Sequence, residues 1–119
     1  MNVISPLIEF QQQLRIFHWQ TPSYSGHKAF GKAYESFDEL IDTFVEVYMG
    51  IFGRSKPNTV FAFNLQPLKD EETVNLVFDK FELYLKEMSE EIPEHTDLLN
   101  IRDEMLAELH KLKYLLSLQ

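Results

Sequence analysis

The residues best equipped for chemistry are two imidazoles and two carboxylates: His18, His27, Asp42 and Glu46. The chain holds no cysteine, so a metal ion would have to be bound by His, Asp and Glu. That donor set suits iron(II), with zinc or another divalent ion as the alternative, and an incomplete shell leaves room for water and an oxidant. If His27 is set at zero on a helix and each residue advances about 100°, Asp38 falls at about 20°, Asp42 at about 60° and Glu46 at about 100°. Phe30, Phe37, Leu40 and Phe44 fall on the opposite side, so the acids flank an apolar stripe. His27 and Asp42 stand fifteen residues apart, roughly 22 Å along a helix axis. They cannot hold one ion within a single chain. Two copies of the helix packed antiparallel about a two-fold axis bring His27 of one toward Asp42 and Glu46 of the other, giving two equivalent sites. His18, beside the turn that precedes His27, folds back next to it.

Four helical segments are needed to position these groups. Helix A spans about 5–20; it opens on Ser5-Pro6 and carries Leu7, Phe10, Leu14 and Phe17 at steps of three and four. Helix B spans about 26–50, with Phe30, Ala33, Phe37, Leu40, Phe44 and Ile51 as its inner seam and Gly50 and Gly53 at its close. Helix C spans about 70–90, with Glu71 and Glu72 well placed against the dipole of its first turn. Helix D spans about 96–117, capped by Thr96 or Asp97, and holds Leu98, Ile101, Met105, Leu109, Leu112 and Leu116. Short A–B and C–D connections imply antiparallel neighbours, whereas 53–69 is long enough to cross one end of the bundle. Val60, Phe61 and Phe63 in that stretch read equally as a short extended piece, a plug over the bundle or a subunit contact. The expected fold is all-α: one domain over 1–119, an antiparallel four-helix bundle with a long B–C crossover, which suggests ferritin-like architecture. The usual internal di-iron site needs Glu-x-x-His on two helices, and this chain has none.

Composition narrows the function classes. A formal net charge of -8 disfavours nucleic acid and anionic membranes as partners. No apolar run approaches the length of a membrane span and no leader-like N-terminus is present, so the expected location is the cytoplasm.

The run HWQTPSYSGHKAFGKAYESFDELIDTFVE, residues 18–46, resembles the ferroxidase segment of Dps-type mini-ferritins. In that family a His-Trp pair ends the first helix, a second His starts the next, and an Asp fifteen residues on is followed after four by a Glu. The resemblance implies that His18 and His27 bind iron from one subunit and Asp42 and Glu46 from its two-fold mate. Trp19 would be an aromatic neighbour of these ligands, and no catalytic group beyond them is implied; Tyr34 and Asp38, read from their own positions, would back the ligands without binding. Iron(II) would be oxidised there, with peroxide or dioxygen taking the electrons, in a homo-oligomer of at least two subunits. Where the family often carries a further Asp, four residues after the second His, this chain has Gly31. The HWQT, Tyr24 and HKA pattern and the DELID-FVE run are also similar to uncharacterised ferritin-like proteins of phages and large algal viruses, implying the host cytoplasm.

Each residue also has an ordinary reading. A histidine near a helix end serves as a dipole partner or an exposed polar group, and acids on an outer helix face are commonly solvated. Trp19 and the tyrosines then contribute packing, and His95 and His110 are surface residues. Two functions follow: iron binding and Fe(II) oxidation at a shared site or, as the alternative, a non-catalytic helical homodimer acting as an interaction or assembly module.

Overall fold

The computed structural model describes residues 3–56 and 59–119; Pro57 and Asn58 of the crossover, like Met1 and Asn2, lie outside the described residues. Four helices, α1 (Ile4–Gln20), α2 (Tyr24–Phe52), α3 (Glu71–Glu91) and α4 (Thr96–Leu116), make up the regular structure, and no strand occurs among the described residues. Helix α1 lies against α2 and α3, and α4 against the same two helices.

Phenylalanine fills the centre. Phe10 stacks face to face on Phe81 at 3.8 Å between ring centres and meets the edge of Phe37 at 5.2 Å. Phe17, Phe30, Phe44 and Phe78 are buried with them. Each such ring is worth about 1.5–3 kcal/mol of transfer free energy, and edge-to-face pairs add about 0.5–1.5 kcal/mol. The three- and four-residue spacing that marks the helices is therefore the spacing that puts these rings on one side of each.

The ends are set locally. Thr21 is extended (ψ 134°) because the following Pro22 disfavours helical backbone, so α1 stops there. Two residues on, the Ser23 hydroxyl accepts from the Gly26 amide at 3.1 Å and starts α2. Gly53 closes α2 at φ 94°, a conformation that favours glycine. Asp70 caps α3 by accepting from the Thr73 amide at 2.8 Å, which holds its carboxyl below the ordinary range. Two caps differ from the expected ones. Helix α1 starts one residue before Ser5, with Val3 at the cap position, and α4 has His95 there, with no side-chain bond at either. Val3 and Leu98 are buried at these helix starts, and Asp97 Oδ1 accepts from the Leu98 amide at 3.0 Å.

From Asn64 to Leu68 the crossover is tied to α1 by hydrogen bonds at every second residue. The Asn64 amide donates to Glu9 Oε1 (3.2 Å), the Gln66 amide to Gln13 Oε1 (2.7 Å) and the Leu68 amide to Gln20 Oε1 (2.6 Å). Gln13 Nε2 donates back to the Gln66 carbonyl at 2.8 Å. Val60, Phe61 and Phe63, for which the sequence leaves open an extended piece, a plug over the bundle or a subunit contact, form no regular element, and their side chains are 86%, 39% and 42% exposed.

Candidate functional site

The turn between α1 and α2 brings His18 and His27 together. Their rings stack with centres 3.8 Å apart and planes 18° from parallel. Nδ1 of His18 lies 2.7 Å from the His27 carbonyl, and Nδ1 of His27 lies 2.9 Å from the His18 carbonyl. A carbonyl oxygen only accepts, so each ring must donate from Nδ1. In the neutral state this puts the proton on Nδ1 and leaves the Nε2 lone pair of both rings bare. A backbone carbonyl on one imidazole nitrogen is the usual way a ligating histidine has its tautomer and orientation held.

Gly31, one turn along α2 from His27, is the seat of this pair. A Cβ built there would stand 2.9 Å from Cε1 and 3.0 Å from Nδ1 of His18. Those separations are closer than van der Waals contact allows, so any side chain at 31 would displace the ring. The position where the resembled family often carries an acid is thus taken by the ring of His18.

Asp42 and Glu46 lie farther along α2, both exposed and without a hydrogen bond or ion pair among the described residues. No group of three or more His, Asp or Glu able to hold a metal is gathered in one chain among the described residues. Asp38 accepts from Gln11 Nε2 at 2.8 Å, which satisfies an amide buried on α1. Tyr34 and Trp19 flank Arg15, whose guanidinium carbon sits 4.9 Å and 5.4 Å from the two ring centres. Trp19 itself is 64% exposed. The four-residue step from Arg15 to Trp19 shows in the sequence, but the partnership with Tyr34 needs the second helix and does not.

The remaining histidines sit elsewhere. His110 Nε2 is 2.7 Å from Glu82 Oε1 across α3 and α4, and this bond, with Lys113 and Lys86 nearby, holds the Glu82 carboxyl at about 2 against an ordinary 4.5. His95 presents its ring at 76° to that of Phe52. Arg102, buried between α3 and α4, was not singled out by its pattern: it donates from Nη1 to the Leu85 carbonyl and the Ser89 hydroxyl, and from Nε to Asp103. Burial raises the Tyr84 hydroxyl above its usual range.

No helix of the described residues is long and apolar enough to cross a membrane. A family model described as a family of unknown function (DUF5856) matches residues 18–116. Among curated proteins, the chain is 27% identical over 113 residues to the uncharacterized 14.6 kDa protein in the mobD-ri intergenic region of Enterobacteria phage T4, covering 95% of this chain and 84% of the relative. No solved structure matches. The chain belongs to the DUF5856 family.

Proposed function

We propose, for this member of a family of unknown function with a relative in a phage, that it binds iron(II) as substrate at a site completed by a second copy, in the manner of Dps-type mini-ferritins, and oxidises it in the host cytoplasm. The observation that carries the reading is the reciprocal bonding of His18 and His27, which spends both Nδ1 atoms and leaves the Nε2 atoms of two stacked rings without a hydrogen bond among the described residues. Asp42 and Glu46 supply carboxylates with no partner of their own among the described residues.

Charge along α2 supports the antiparallel pairing. Lys28 and Lys32 follow His27 on the outer face, and Glu35, Asp38, Glu39, Asp42 and Glu46 follow them, all exposed. Laid head to tail on its copy, the basic end of one helix meets the acidic end of the other; laid parallel, like charges meet. The ferritin-like path of the chain is supported by its contacts. Val3 meets Tyr84, Gln20 meets Leu68, and Phe52 meets His95. These contacts favour neighbouring helices running in opposite senses, with the crossover from Asn64 to Leu68 returning along α1. At the shared site each Fe(II) would yield one electron, and one hydrogen peroxide would take two electrons and two protons to become two waters.

Anaerobic titration with Fe(II), metal analysis and sedimentation of wild type, His27→Ala and Asp42→Ala test the reading. The expected result is metal bound by a dimer or larger assembly and lost in both variants. Binding that survives both substitutions, or a monomer at every concentration, overturns it. A second reading, a non-catalytic interaction module, is favoured by Trp19 and Tyr24, which are 64% and 72% exposed at the same end of the molecule. It predicts the same oligomer and stability with metal or chelator.

A further inference from the structure

We propose that the groove bounded by α1, the crossover and α3 binds a small amphipathic carboxylate, an apolar chain with a single anionic head. The groove encloses about 540 Å³, within the range of about 300–1,000 Å³ usual for small-ligand clefts. It is held open by its own scaffolding. On one side, Glu9 and Gln13 fix the crossover at Asn64 and Gln66, and Gln13 is buried with both ends of its amide used. On the other, α3 meets α1 through the stacked rings of Phe10 and Phe81 and a bond from the Tyr84 hydroxyl to the Val3 carbonyl. Closing the gap would break these contacts.

The lining is apolar below and cationic at the rim. Phe10, Phe81, Val77 and Leu76 supply the apolar surface, and Leu76 is 63% exposed in the absence of an occupant. Lys69, from the end of the crossover, and Lys80, from α3, border the same groove, and neither ammonium lies within ion-pairing distance of a carboxylate among the described residues. The nearby acids are committed: Glu9 accepts the Asn64 amide, and Asp70 accepts the Thr73 amide and hydroxyl. In a chain of net charge -8, the two ammonium groups outnumber the single carboxylate, that of Glu9, on the groove lining and make its rim locally cationic. The head group follows from the donors. Phosphate is met most often by arginine forks or a nest of free amides. Here the Asn64, Gln66 and Leu68 amides are already used, no arginine lines the groove, and with Glu9 on the same lining the two ammonium groups leave one net positive charge, which matches a singly charged carboxylate better than a phosphate dianion. None of the proposed metal ligands takes part, so this inference stands or falls apart from that reading.

Calorimetric titration of the full chain with decanoate, decanol and decyltrimethylammonium, each below its micelle concentration, tests it. Decanoate is expected to bind at least tenfold more tightly than decanol, and the cation not to bind. Lys69→Gln/Lys80→Gln should bring decanoate down to the affinity of decanol. Leu76→Gln, at an exposed position that leaves the helical circular dichroism unchanged, should weaken both. Absence of decanoate binding, equal affinity for decanoate and decanol, or indifference to the lysine substitutions overturns the proposal. So does a wild-type dimer that Leu76→Gln converts to a monomer, since a second copy would then occupy the groove.

Discussion

Two histidine arrangements in this protein use opposite nitrogens. At the α1–α2 turn, His18 and His27 spend Nδ1 on each other's carbonyl and keep Nε2 bare. Between α3 and α4, His110 points Nε2 at Glu82, the nitrogen most easily offered to a metal, and receives a carboxylate in return. The first arrangement leaves both Nε2 atoms without a hydrogen bond among the described residues; the second is closed, with Lys113 and Lys86 completing a charge cluster around Glu82. The residue type is the same in both. What separates a potential ligand from a structural ion pair is which ring nitrogen the surrounding fold has already occupied.

The largest effect that would break this comparison is on metal-dependent stability. In excess Zn(II), wild type should gain about 2.7 kcal/mol at a hundredfold excess over Kd, read as a rise in Tm. His18→Ala and His27→Ala should lose that gain, and His110→Ala should keep it. An equal loss in all three would erase the distinction.

Gly31→Ala sharpens the comparison from the other side. Its methyl group displaces the His18 ring, and metal affinity should fall by roughly 10- to 100-fold, as for loss of a group that orients a ligand. Stability in the absence of metal should change little, because alanine recovers about 1 kcal/mol of helix propensity while two exposed hydrogen bonds worth about 0.5–1.5 kcal/mol each are disturbed. Urea unfolding without metal and a Zn(II) titration separate the two readouts.

The smallest effect belongs to the closed pair. Glu82→Gln should cost about 0.5–1 kcal/mol at neutral pH, a value limited by solvent screening. Because its carboxyl is held at about 2 in the fold against an ordinary 4.5, its contribution is complete above about pH 4.5 and is lost as pH falls toward 2. Wild type and Glu82→Gln should therefore converge in urea midpoint across that window. A constant difference down to pH 2 would show that Glu82 acts through packing instead.

Much of the fold was legible in the chain before any coordinates. Leu7, Phe10, Leu14 and Phe17, or Leu98, Met105, Leu109 and Leu112, declare a helix and its buried face because burial follows the helical period. Asp70 was legible as a helix start, since it precedes the periodic run that opens at Val74 and has a local partner in the Thr73 amide. Ser5 and Thr96 do not take the cap positions, which fall to Val3 and His95, because where a helix starts also depends on what its first turn packs against. For the candidate site, the nearness of His18 to His27 followed from a short turn. Their reciprocal bonds and the seat at Gly31 did not, since these depend on how two helix axes approach. The groove was not legible either: Lys69 and Lys80 sit on different elements, and Gln13 reads as an ordinary polar residue until Gln66 is placed against it.

The order of residues therefore determined the helices, their apolar faces, the charge gradient along α2 and the set of donors available, because each is written in spacing along one chain. Tertiary structure alone decided which nitrogen of each imidazole is occupied, which amides the crossover spends on α1, and where a gap stays open between α1 and α3. Those outcomes depend on distances between elements far apart in sequence, and a single hydrogen bond formed or withheld across such a gap changes what a side chain can do.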